Sequence, residues 1–339
     1  MLLSAILCTS NRGALLARAL ESILGQTLEP KDFEVIVIDD GSTDDTRQIV
    51  ESFERRFHLR YAYQSNAGLA SAKNHGIYCS RAPIVLFLDD DEVFSPALFE
   101  EHLKAHRTHP EDHYAVLGYT GLHPSIADKP LMDFVTEVGC YLFSYPDVRD
   151  GALLDYTYFW GGRTSCKRTF LIQHGVFNPV FRFGCEDIEL GYRLSKHNLQ
   201  VKYNARAIST MIRDISFDAF CARLARQGRS QQVFSRLHPE AEVQRWCEVP
   251  GAEEKWQKTA PVYNAMLRSA RELDRIANLK LELGLDLDDV TKTLLHQAYH
   301  NAFEACKLKG IWEQKTATRA ETGEKRLVVR DIYRRSASR

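Results

Sequence analysis

With 339 residues, 44% hydrophobic and 26% charged, the chain has an ordinary globular composition and room for one large domain or two smaller ones. A formal net charge of -1 gives no electrostatic case for nucleic acid as the main partner. The eight cysteines are scattered and form no C-x-x-C, which argues against structural zinc and for reduced thiols in a cytosolic compartment. No stretch approaches the roughly 20 apolar residues of a membrane-spanning helix. Met1 to Cys8 also lacks the basic region and cleavage site of a signal peptide. The expectation is a soluble cytoplasmic protein, with peripheral membrane contact left open.

Leu2 to Cys8 reads as a strand ending in the polar turn Thr9-Ser10-Asn11-Arg12. Leu15, Leu16, Ala19, Leu20 and Ile23 then share one face of a helix that stops near Gly25. Phe33 to Ile38 is a second strand running into Asp39-Asp40-Gly41-Ser42-Thr43, and Ser42 or Thr43 can cap a helix over Asp45 to Phe57. A third strand is expected over His58 to Gln64, a helix over Ala70 to Cys79, and a fourth strand over Ile84 to Leu88. Strands alternating with helices predict an α/β fold with a mainly parallel sheet flanked by helices, whose ligands sit beyond the carboxyl ends of the strands. Three of those ends carry polar groups here.

The fourth strand runs into Asp89-Asp90-Asp91-Glu92. Packed like charges repel and titrate upwards unless something positive sits among them. A divalent cation with a phosphate ester would serve, since hard cations take carboxylate oxygens; an acidic loop facing water explains the run equally well. No G-x-G-x-x-G follows the first strand and no P-loop occurs, which weakens dinucleotide binding and removes the P-loop ATPases.

Glu100 to Asp155 carries mixed signals: a helix through Phe99, Leu103 and His106, a strand over Ala115 to Tyr119, then a long stretch rich in Tyr, Phe and Pro. That stretch suits a binding groove or a packing insert. Trp160-Gly161-Gly162 lets backbone approach a ligand closely, although a tight turn also explains paired glycines. Glu186, Asp187 and Glu189 open a helix, where negative charge is favoured; alternatively Asp187 or Glu186 faces the crevice as a general base. A strand near Val201 to Ala207 and a helix over Ser216 to Phe234 follow, the latter with Arg223, Arg226 and Arg229 on one side. From about Pro239 the chain reads as helical, over Glu254 to Leu283 and Leu287 to Lys309, with a break at Gly284. This appendage is assigned to homodimerisation or packing rather than chemistry. Lys315 to Arg339, with Arg330, Arg334, Arg335 and Arg339, reads as a basic tail.

Six blocks carry a likeness. Ile6 to Arg12 with Ala19 to Thr27, Val37 to Asp44, Asn66 to Gly76, Phe87 to Asp91, and Gly184 to Arg193 resemble, in order, the motifs of family 2 glycosyltransferases. The likeness covers about Met1 to Phe234. It implies a GT-A fold over residues 1–235 and leaves 236–339 as a helical C-terminal region. It further implies a nucleotide-sugar donor, a divalent metal (Mn²⁺ or Mg²⁺), inversion at the anomeric carbon, and a glycan, lipid-linked or protein acceptor. By position, Thr9 and Asp40 would contact the base, Asp40 taking its imide proton, with Asn11 and Arg12 in the same nucleotide-sugar set. Asp89 or Asp90 would hold the ribose, Lys73 would lie near the nucleotide, and Asp91 would ligate the metal. Asp187, with Glu186 beside it, would deprotonate the acceptor, on the side of Trp160, Gly161 and Gly162. An imide partner at Asp40 points to UDP. Many relatives have a metal- or diphosphate-binding His beyond the strand after the acidic motif; here Ala207 to Arg213 contains none. A Q-x-x-R-W motif and membrane helices are absent, against processive extrusion. A non-catalytic nucleotide-binding scaffold on the same fold is the alternative, and a nucleotidyltransferase ranks last for want of a glycine-rich basic loop.

Overall fold

The computed structural model describes residues 1–143, 145 and 148–336, with side chains described through residue 318. Strand β1 (Leu3–Thr9) is buried along nearly its whole length, as a strand covered by helices on both faces must be. Helix α1 (Gly13–Ile23) turns Leu16, Ala19, Leu20 and Ile23 inward at helical spacing. After β2 (Phe33–Asp40), α2 (Thr46–Phe53), β3 (Leu59–Gln64) and α3 (Leu69–Cys79) comes β4 (Ile84–Asp89). These strands lie in the order β3-β2-β1-β4, all parallel. Thr9 pairs with Asp39 and Cys8 with Asp89, so the three polar strand ends share one edge of the sheet.

Next come β5 (Glu92–Phe94), α4 (Leu98–Thr108), β6 (Tyr114–Leu122), the short helices α5 (Pro124–Ala127) and α6 (Pro130–Asp133), and β7 (Leu153–Leu154). Then follow β8 (Thr164–Lys167), α7 (Arg168–His174), α8 (Glu186–Ser195) and β9 (Gln200–Met211). Strand β8 runs antiparallel to β4 and to β6, β6 runs parallel to β9, and β5 closes antiparallel on β9. The sheet is thus curled, parallel through its first four strands and mixed beyond them. Its two faces alternate: Leu3, Ala5 and Leu7 enter one core with α1 and Phe99, while Ile6, Val85 and Phe87 enter the other with Phe177 and Leu190.

Met1–Asp214 forms one compact unit and Ile215–Arg339 a second. Within the second, α9 (Phe217–Leu237) is followed by α10 (Ala241–Cys247), α11 (Ala252–Thr259), α12 (Tyr263–Glu282) and α13 (Asp289–Ser336). Helices α9 and α13 join through Phe217 stacked on Phe303, Phe220 tilted against the same ring, and Arg229, 2.5 Å from Glu313. Sequence placed α9 with the sheet, up to residue 235; its contacts place it with the helices. No helix among the described residues is long and apolar enough to cross a membrane.

Local departures have local causes. Helix α2 stops at Phe53 rather than Phe57, and its first turn is held by Asp44 Oδ1, which accepts from the Thr46 N–H and hydroxyl. Ser42 and Thr43 are engaged with Asn11 instead. The single helix expected over Glu254 to Leu283 is two, because Pro261 has no N–H to continue a ladder. Past Gly284, Asp288 accepts from Thr291 N–H at 2.9 Å and starts α13. That helix continues through the expected tail to Ser336. The side chains of Arg330, Arg334 and Arg335, and Arg339 itself, lie outside the described residues.

Candidate active site

The loops beyond β1 and β2 brace one another. Asn11, at φ +54°, accepts on Oδ1 from Thr43 N–H at 2.8 Å, and its own N–H donates to Ser42 Oγ at 2.8 Å. Asn tolerates this left-handed conformation better than most residues. Asp40 Oδ1 accepts from Gln64 Nε2 and Ala67 N–H, each at 2.8 Å, and Oδ2 from Gly68 N–H at 2.9 Å. A carboxylate with three such donors fixes the 64–68 loop, whatever else it touches. Thr9 is buried at the end of β1 beside these groups.

Beyond β4 the acids are interleaved with arginines, which is how the repulsion expected of the run is relieved. Arg12 donates to Asp90 Oδ1 at 2.8 Å and lies 3.5 Å from Asp91 Oδ2. Arg163 reaches Glu92 at 2.8 Å and Asp89 at 3.3 Å. Arg213 Nε stands 2.6 Å from Asp91 Oδ2, although its N–H is not aligned for a hydrogen bond. Burial pushes the Asp90 and Glu92 carboxyls above the usual range, against the pull of Arg12 and Arg163 respectively. Asp89 is the open member of the run, with its side chain 38% exposed against 8% for Asp91.

Across the crevice, Glu186 and Asp187 begin α8 directly after Cys185, a non-glycine residue held at φ +64°. Such a conformation persists only where its surroundings impose it. Asp187 is half-buried; its Oδ2 accepts from Gly161 N–H at 3.1 Å and its Oδ1 from Ile188 N–H at 2.9 Å. Burial and then Glu186 raise its pKa, with Lys73 opposing. Lys73 is buried, 3.1 Å from Glu186 Oε1, with its ammonium 5.1 Å from the Phe177 ring centre. Burial would lower the Lys73 pKa, but Glu186 and Asp187 outweigh it and hold it raised.

Gly161 and Gly162 stand between the two acidic groups, and neither has room for a side chain. A Cβ on Gly161 would meet Lys73 Nζ at 2.5 Å, and one on Gly162 would meet Asp89 Oδ2 at 2.0 Å. Trp160 donates from Nε1 to Thr157 O at 2.8 Å and packs edge-on to Tyr145, with ring centres 5.4 Å apart. Of the groups singled out from sequence, Asp89, Asp187, Gly161 and Gly162 come together across one gap. Asp40 and Asn11 shape its loops, and Lys73 lies beneath it, paired with Glu186. Arg163 and Arg213 were not singled out. Arg163 had a signal in its place directly after Gly161-Gly162; Arg213 had none beyond its position in the stretch where a His was sought.

A divalent ion finds carboxylates here but no closed cage. Asp89 is open, and Asp91 keeps Oδ1 outside both of its ion pairs. No group of three or more His, Cys, Asp or Glu side chains converges as metal ligands among the described residues. Asp89 and Asp91 are thus the residues that would hold such an ion, with phosphate and water completing its shell.

Residues 4–148 match the family model described as Glycosyl transferase family 2. That segment is similar to the family 2 glycosyltransferases. A validoxylamine A glucosyltransferase of Streptomyces hygroscopicus subsp. limoneus is 35% identical over 225 residues, covering 58% of this chain and 49% of the relative. The chain thus spans about half the length of that relative. Among solved structures, a mannosyltransferase of Pyrobaculum calidifontis in complex with GDP-Man and Mn²⁺ superposes with a TM-score of 0.59 at 17% identity, over 92% of this chain and 87% of that one. S. aureus TarS 1-349 in complex with UDP gives 0.52 at 15% identity, over 93% and 92%. At such identities the likeness is one of fold, and the fold is GT-A.

Proposed function

We propose that the chain transfers a sugar from a nucleotide-sugar to an acceptor hydroxyl with inversion. The observation that carries this reading is the placing of Asp187 and Asp89 on either side of Gly161-Gly162, an acceptor-side acid and a donor-side acid facing one side-chain-free gap. In this reading Asp187 takes the acceptor's proton as its oxygen bonds to the anomeric carbon. The bond to the diphosphate oxygen breaks on the opposite face, and the electron pair leaves with the nucleoside diphosphate. A hydroxyl is a weak nucleophile, and removing its proton in the transition state is typically worth about 10²–10⁴-fold. Gly161 N–H and Ile188 N–H aim the carboxylate, while Lys73, 3.1 Å from Glu186 Oε1, holds that neighbouring side chain in place.

On the donor side Thr9 and the loop fixed by Asp40 border the base, and Asp89 the ribose. The leaving diphosphate gathers negative charge, so cations there stabilise the transition state more than the ground state. Arg12 and Arg163 stand among the acids at that place. A divalent ion, Mn²⁺ or Mg²⁺, would be held by Asp91 with Asp89 and would supply further positive charge. The acceptor is a glycan, lipid-linked or protein hydroxyl, and UDP-sugars are the first donors to try. Incubation with a panel of nucleotide sugars and simple acceptors tests the reading. Release of nucleoside diphosphate from at least one donor supports it; no turnover of any donor, together with no nucleotide binding, contradicts it.

A further inference from the structure

We propose that Arg213 is a ligand of the donor's diphosphate, a resident cation that lets the site hold a nucleoside diphosphate when no divalent ion is present. The inference rests on the nucleotide-sugar reading above and adds to it a residue outside the sequence motifs. Its position is fixed by backbone. Strand β5 pairs antiparallel with β9, with Glu92 opposite Met211, and Ile212 N–H donates to Asp91 O at 2.9 Å. Arg213, one residue on, is thereby delivered to the Asp91 side chain.

Three features point from that position to an anion. The guanidinium touches Asp91 Oδ2 at 2.6 Å, yet its buried Nε makes no aligned hydrogen bond. A guanidinium has five N–H donors in a planar fork, and this one contact leaves most of them for an incoming group. The side chain is 28% exposed, so it is neither sealed in the core nor loose in solvent. Arg12 approaches the same Asp91 oxygen at 3.5 Å, so the carboxylate retains a cation if Arg213 turns towards a phosphate. A buried acid could not be left bare at so little cost. Phosphate oxygens match the guanidinium fork in geometry and carry more charge than a single carboxylate oxygen.

A residue that only neutralised Asp91 would lose its effect on the diphosphate once Asp91 is uncharged, so discrimination between nucleoside and nucleotide is read both in the wild type and in an Asp91→Asn background, where the effect of Arg213→Ala should persist. Binding of UDP, uridine, GDP and guanosine to the full chain is measured calorimetrically in EDTA. For the nucleoside pair that binds, the wild type is expected to prefer the diphosphate by about tenfold or more, as one to two charge-assisted hydrogen bonds imply. Arg213→Ala should remove most of that preference while nucleoside affinity stays within about twofold; Arg213→Lys should retain part of it. A diphosphate preference unchanged in Arg213→Ala, with nucleoside binding intact, overturns the proposal. If the Ala variant unfolds, Arg213→Gln and Arg213→Lys are judged by the same ratio, and a wild-type ratio in both overturns it. A wild type that binds neither nucleoside nor nucleotide refutes the nucleotide-sugar reading itself.

Discussion

Lys73 and Glu186 are both about 95% buried, and their 3.1 Å contact keeps a charge of each sign out of water. Removing one partner strands the other, which typically costs about 3–5 kcal/mol, whereas replacing both with apolar groups is often near neutral. Lys73→Met should therefore destabilise the chain by about that amount, and Lys73→Met combined with Glu186→Leu should recover most of it. Denaturant midpoints of the single and double variants check this; equal losses in both would contradict it. At the opposite wall, Gly162→Ala puts a methyl group 2.0 Å from Asp89 Oδ2 and must displace that carboxylate. Donor affinity should fall more than thermal stability does, and a variant with unchanged donor affinity would remove Asp89 from the donor site.

At the scale of elements, α4 and β8 meet through two buried imidazoles. His102 and His106 bond to Ser165 Oγ at 2.8 and 2.9 Å. Burial lowers the His102 pKa to about 3 and pushes His106 well below its ordinary value. Between pH 6.5 and 3 the unfolded chain binds a proton at His102 that the folded chain refuses. Stability is therefore full above about pH 6.5 and falls with acid, by about 1.4 kcal/mol per pH unit for one such group. Asp90 and Glu92, raised in the fold, titrate in the opposite sense and cancel in a comparison with His102→Gln. That variant should lose less stability than the wild type between pH 7 and 5; parallel losses would contradict the assignment. The parallel half of the sheet was legible because each strand ends in a polar turn and each helix shows its inward face at 3.6-residue spacing. The pairing of β5 with β9 was not, because three residues, Glu92–Phe94, are too short to show a period and their partners lie more than a hundred positions on. That pairing delivers Arg213 to Asp91, so the cation proposed for the diphosphate was hidden with it. The pairing of Lys73 was hidden for a related reason: its place in the motif is visible in sequence, but its burial against Glu186 depends on α8 coming in from over a hundred residues away.

For the whole molecule, the site described here lies entirely within Met1–Asp214, and the family match ends at residue 148. Glu186 and Asp187, at the start of α8, therefore come from beyond the matched segment. The chain's near-zero net charge is a sum over local clusters that are strongly charged, with four acids and three arginines at one strand end. The proton-accepting role of Asp187 is tested by the turnover of Asp187→Asn on the donor and acceptor found for the wild type, with nucleotide affinity measured in parallel. A fall in kcat of about 10²–10⁴-fold with nucleotide affinity unchanged is expected. Turnover within a few-fold of the wild type would contradict it.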